Sequence, residues 1–160
     1  MSRRVRLRHL PGRLTTGLFI VNSGLSKWHA DDATAAALHG MAAGAYPFLH
    51  SIPPQRFVRL ACAGELALGT ALLLPVVPAV VAGTALTAFS AGLLGLYLRT
   101  PEMREGRSLR PTQQGLTLAK DVWMFGIGLT LVIDGLGDDE VQRRSGPSME
   151  LCHRRVELGS

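Results

Sequence analysis

The stretch FVRLACAGELALGTALLLPVVPAVVAGTALTAFSAGLLGLYL, residues 57–98, holds two apolar runs separated only by Pro75-Val76-Val77-Pro78. A helix rises about 1.5 Å per residue, so roughly 20 residues cover the ~30 Å hydrocarbon core of a bilayer. Both runs reach that length, and the two prolines leave almost no loop between them. The stretch therefore reads as a tight antiparallel hairpin of two spans, about 55–74 and 79–98. Glu65 lies near the middle of the first. A carboxylate at that depth costs about 2.5–3.5 kcal/mol on insertion scales, so it is expected to face the protein interior and to have a partner. The second run carries no charge, and its Ala88, Ala91, Gly92 and Gly95 stand at helical spacing, where small side chains let another helix approach closely.

Outward from the hairpin, the whole chain has the same character. Hydrophobic residues make up 47% of its 160 positions and charged residues only 18%, the latter gathered at the chain ends and in one internal loop, as in a membrane protein. The net charge of +5 comes from basic residues that flank apolar runs instead of striping one face. That pattern suits topology signals and lipid headgroups, and nucleic acid is not expected as a partner. Cys62 lies in a span and Cys152 in the polar tail, which supports neither a disulfide framework nor a paired-cysteine redox or zinc motif.

Residues 1–11 form a basic leader. A first span follows at about 12–28, the weakest of the set, because it carries Arg13, Thr15, Thr16, Asn22, Ser23 and Lys27. The start S-R-R-V-R-L is loosely like a twin-arginine signal, but Arg6 stands where that signal wants a bulky apolar residue. The segment reads better as a signal anchor retained as the first helix. From Asp31 to Pro54 the chain is Ala/Gly-rich. Asp31 or Asp32 can cap a short helix over Ala33–Ala45 that Pro47 ends; it is too short to span and fits an interfacial position. A polar loop with four arginines, 99–114, leads to a fourth span at about 115–135, and residues 136–160 form a polar tail expected to be disordered.

The expected fold is thus all-α: a polytopic membrane four-helix bundle over 12–135, with a short interfacial helix between spans one and two. The basic leader places the N-terminus, and with four spans also the C-terminus, in the cytoplasm, the bundle crossing the plasma membrane. In this topology Lys27, Glu65, Lys120 and Asp121 all fall in the outer half of the bundle, with Glu65 roughly 14 Å and Asp121 roughly 8 Å below the outer ends of their helices. Two positive and two negative charges cancel, which favours a paired, hydrogen-bonded network. Such a network can be a polar pocket for a quinone headgroup, a small substrate or a proton path. Equally, the lysines can reach outward while Glu65 pairs with one of them and sets helix register. Trp28 and Trp123 read as interfacial anchors, and Arg13 and Asp134 as ordinary interface charges at the opposite end.

The five histidines, His9, His29, His39, His50 and His153, fall outside the apolar spans, so no axial ligands for a haem project into the bundle. No metal site is expected, no cofactor is evident, and no phosphate loop or dinucleotide fingerprint appears.

The first span, R-L-T-T-G-L-F-I-V-N-S-G-L-S-K-W, resembles the opening helix of DoxX-family membrane proteins, with its G-x-x-K ending. The Ala/Gly helix and then the glutamate in A-G-E-L-A-L-G-T-A-L-L-L follow in the family's order. The segments L-R-T-P-E-M-R and S-L-R-P-T-Q-Q-G-L-T-L-A-K-D-V-W are similar to an actinobacterial branch, and the likeness covers about Arg8 to Asp134. The resemblance implies a four-helix bundle. It further implies a role like that of family members in thiosulfate:quinone oxidoreductase or in a membrane-associated oxidative-stress complex. Lys27 and Glu65 match the family's polar span positions, without a catalytic role attached. The expectation is a subunit of a redox-associated membrane complex, an oxidoreductase component if it has enzymatic activity at all. Quinone is the cofactor to look for, and other subunits or a second copy are the partners. A small transporter or proton-conducting module, and a non-catalytic assembly protein, stand as alternatives.

Overall fold

The computed structural model describes residues 7–106 and 108–137, and over these the protein is helical, with no strand beyond an isolated bridge between Arg104 and Pro111. After a 3-10 turn at Leu7–His9 come α1 (Leu10–Lys27), α2 (Asp32–Ala45), a 3-10 turn at Pro47–Ser51, α3 (Pro54–Leu73) and α4 (Ala79–Arg99). A second loop with a 3-10 turn at Pro101–Met103 leads to α5 (Leu116–Gly137). The first turn of α5, Leu116–Ala119, is separated from the rest by a tightened turn at Lys120 and Asp121. There Asp121 N–H bonds back three residues to Leu118 O, and Trp123 N–H to Lys120 O. The leader before Leu7 and the tail after Gly137 lie outside the described residues.

Among the described residues two helices, α4 and α5, are long and apolar enough to cross a membrane. The other two long helices reach 18 and 20 residues but are more polar, since α1 holds Arg13 and Lys27 and α3 holds Arg56, Arg59 and Glu65. The hairpin of α3 and α4 closes through Pro75–Pro78, as the two prolines require.

Glycine decides how the long helices meet. Gly17 of α1 lies against Gly69 and Leu73 of α3, and Gly24 against Cys62, Glu65 and Leu66. As one number rises the other falls, so α1 and α3 run antiparallel. The pair α4 and α5 is built the same way, with Gly83 against Gly128 and Leu131, and Gly135 against Val80. Ile20 of α1, Leu68 and Leu72 of α3, Ala82 and Leu86 of α4, and Met124 and Leu131 of α5 form one buried core between the two pairs. The close approach on α4 is at Gly83, nearer the start of the helix than the small residues picked out in the sequence. Gly92 and Gly95 instead receive Tyr46, whose hydroxyl donates to Gly92 O at 2.8 Å.

These contacts make opposite expectations for two glycines of one helix. A methyl at Gly69 would stand 2.6 Å from Val21 Cγ2 and 2.9 Å from the Gly17 carbonyl, so α1 and α3 would have to separate. Gly69→Ala should cost about 1–3 kcal/mol. Gly64 has open space beside it, and Gly64→Ala should stabilise α3 by about 0.5–1 kcal/mol. Chemical unfolding in detergent micelles checks both, and equal effects would contradict the packing.

Of the two acidic residues that could cap α2, Asp31 does so. Its side chain accepts from the Thr34 N–H at 2.8 Å, and hydrogen bonds from Thr34 hold its carboxyl below the ordinary range. The neighbouring Asp32 accepts from the Gln55 amide instead, which ties α2 to the start of α3. Ala35 of α2 packs on Val58 and Cys62 of α3. The short helix therefore lies against the half of α3 that carries Arg59 and Glu65.

Candidate functional site

Lys27 ends α1, and Glu65 sits midway along α3. The ammonium donates to Glu65 Oε1 at 2.6 Å, to Oε2 at 2.8 Å and to Ser23 Oγ at 2.8 Å. All three of its donors are thereby engaged. The contact depends on local sequence in two ways. Ser23 stands one turn before Lys27 on the same face, and Gly24 leaves room for the Glu65 stem to come close. The Glu65 side chain is 8% exposed and that of Lys27 29%, so the pair opens to the outside from the lysine's side.

It opens onto a cleft of about 570 Å³ between the end of α1, the connection that follows it and α3. Lys27, Trp28, Gln55, Arg59 and Cys62 line it together with Ala30, Val58 and Ala63. Two cations and an indole reach the cleft wall, and no carboxylate does; Glu65 sits behind Lys27. Such a wall donates hydrogen bonds and offers apolar surface for a flat ring, which suits a carbonyl-bearing or anionic headgroup.

Of the four charges singled out in the sequence, Lys27 and Glu65 are brought into contact. Asp121, at the tightened turn of α5, is also buried, 7% exposed, and makes no ion pair among the described residues. Its carboxylate accepts no hydrogen bond among the described residues. Lys120, the next residue back, is exposed and makes no side-chain bond among them. Consecutive helical residues point about 100° apart, so burying one turns its neighbour away. The buried set is therefore two carboxylates to one ammonium, and not the neutral quartet the sequence suggested. Trp123 meets Phe19 of α1 edge to face at 5.9 Å, and Trp28 stays 57% exposed.

The residue that sequence reasoning undervalued is Arg13. It is 5% exposed, and its guanidinium donates to the carbonyls of Leu72 and Leu74 at 2.8 Å, Ala71 at 3.0 Å and Val77 at 3.1 Å. Arg13 is a side-chain cap for the C-terminus of α3, reached from α1. The signal was present in the sequence: α3 ends in LLLPVVP, with no polar side chain to satisfy its last carbonyls. At the same end Asp134 of α5 accepts from His9 at 2.9 Å and Arg8 at 3.0 Å, which ties the start of α1 to α5.

His9 and His39 take structural roles. His39 Nε2 bonds the Leu49 carbonyl at 3.0 Å and stacks edge-on against Phe57. Among the described residues no three His, Cys, Asp or Glu side chains gather as a metal site. No family model matches the chain, and neither does any curated protein or solved structure.

Proposed function

We propose that the chain is a DoxX-like four-span protein of the plasma membrane, with both termini in the cytoplasm. In this reading it works as a subunit of a redox-associated complex, and the Lys27 cleft receives a quinone headgroup. The observation that carries the reading is the Lys27–Glu65 pair opening onto a 570 Å³ cleft beside the bundle. The exterior supports the membrane part. Leu18, Phe19, Leu60, Val81, Val122 and Ile133 face outward, each more than half exposed, a surface that suits lipid and would be a large apolar patch in water. The more polar helices fit the same picture, because Arg13 and Lys27 of α1 direct their charges at α3, and Glu65 of α3 directs its own at α1.

In the cleft, the Arg59 guanidinium would donate to one quinone carbonyl, and the Lys27 ammonium to the other on releasing Ser23 Oγ. The ring would lie against Trp28 and Val58. When bound, the quinone supplies the electron-carrying chemistry, which the side chains alone do not offer, and a partner subunit completes the path. Glu65 holds Lys27 in place and balances its charge.

Purification in mild detergent, with extraction and quantification of bound quinone and co-purifying proteins, tests this. Lys27→Met should lower quinone occupancy roughly ten- to hundred-fold, the worth of one charge-assisted hydrogen bond of about 1.5–3 kcal/mol. Lys120→Met should leave it unchanged. Equal occupancy in wild type and Lys27→Met, at equal protein levels, would assign the pair to helix register. The full engagement of Lys27 by Glu65 and Ser23 favours that second reading, in which the protein is an assembly subunit.

A further inference from the structure

A second concavity lies on another face of the bundle, where α2 and its 3-10 turn meet α4. It is a groove of about 320 Å³, with Ala88 and Gly92 of α4 as its floor and Leu49, Phe57 and Phe89 among its walls. Tyr46 closes one side, its hydroxyl bonded to Gly92 O. The Arg99 guanidinium stands over the Tyr46 ring, 4.9 Å from its centroid. Its one hydrogen bond among the described residues is a long contact of 3.4 Å to Ala45 O, and no carboxylate there pairs with it. Among the described residues, a guanidinium with most of its donors unpaired thus stands over Tyr46, which lines the apolar slot.

We propose that this groove binds one anionic phospholipid, an acyl chain lying along α4 and the phosphate held by Arg99. The dimensions suit a chain. From Leu96 to Ala88 the groove follows eight residues, about 12 Å of helix, against ~15 Å for half of a ~30 Å hydrocarbon core. Arg99 and Tyr46 occur where that chain would reach its headgroup, the level at which such side chains anchor membrane proteins. A phosphate can take two parallel N–H bonds from a guanidinium, and the stacking on Tyr46 holds the fork in a fixed plane.

Other occupants fit less well. A quinone has an apolar tail but an uncharged head, so it would take a hydrogen bond from Arg99 without neutralising its charge. A helix of another chain, 10–12 Å across, would have to displace Tyr46 from Gly92 and Gly95. The inference rests on the membrane reading above and is independent of the quinone reading.

The test uses the full-length protein in micelles doped with phosphatidylglycerol or with phosphatidylcholine of the same chains, and counts retained lipid by native mass spectrometry. The wild type should keep one phosphatidylglycerol per chain, preferred several-fold over phosphatidylcholine, which offers the same phosphate but brings a choline cation beside the Arg99 charge. Arg99→Gln should abolish that preference. Ala88→Phe, at an exposed position where the fold tolerates bulk, should fill the groove and remove the retained lipid of both kinds. Equal retention of the two lipids by the wild type, or unchanged retention in either variant, overturns the proposal. So does a dimer that Ala88→Phe breaks, because the groove would then belong to a second copy. Recovery of the native protein in the soluble cell fraction, without detergent, would instead reject the membrane reading on which the site depends.

Discussion

Arg13→Ala should destabilise the folded protein by about 3–5 kcal/mol, because it takes a donor from four carbonyls and an unsatisfied buried polar group costs about 1–3 kcal/mol. The reason lies in Pro75. The carbonyl of Ala71 would normally accept from the N–H four residues on, and proline has none. Arg13 supplies that donor and three more, to Leu72, Leu74 and Val77. Its positive charge also stands at the negative end of the α3 dipole, which compensates for the absence of a carboxylate among its acceptors. Arg13→Lys keeps the charge but not the planar fork, and one ammonium cannot span four carbonyls in that arrangement. It should fall between wild type and Arg13→Ala. Unfolding in micelles measures the order, and an alanine variant within 1 kcal/mol of wild type would show that water or lipid headgroups satisfy these carbonyls unaided.

Breaking the Lys27–Glu65 pair one side at a time should cost about 2–3 kcal/mol. This lies below the 3–5 kcal/mol of fully buried pairs, because Lys27 stays 29% exposed and can turn toward solvent. Glu65→Leu leaves the ammonium without its counter-charge. Lys27→Met leaves Glu65, 8% exposed, as an unpaired carboxylate. The double variant Lys27→Met/Glu65→Leu removes both charges and should return to within about 1 kcal/mol of wild type, since apolar replacements often match a buried ion pair. A double-mutant cycle reads this directly, and additive losses would mean that the two side chains act separately. The double variant also separates roles: restored stability with quinone still lost would place the pair in ligand binding.

Much of the architecture was legible along the chain. The PVVP turn, the ends of α3 and α4, the short α2 and a cap at its start all rest on local chemistry, and local chemistry is what one sequence displays. The outer end of the bundle was legible only in part. Lys27 and Glu65 were both visible, but which lysine Glu65 would take was open, because the choice depends on helix rotation and on Gly24 letting α3 close in. Lys120 looked equivalent by depth and differs by direction. The small residues of α4 were read as a helix-packing face. The chain fills part of that face with Tyr46, from 46 residues away along the sequence.

The sequence by itself determined the helical class and where the helices break, since apolar run length, proline and capping residues act within a few residues of themselves. It also determined that a charge within an apolar helix must find a partner. Only the tertiary structure decided which partner. Arg13 turns to the carbonyls at the end of α3, among them that of Ala71 left without a donor by Pro75, and Lys27 to Glu65, because antiparallel packing through Gly17, Gly24 and Gly69 sets α1 against α3 in that one register. Burial along a helix rotates by about 100° per residue, so a shift of a single position would have exchanged Asp121 for Lys120.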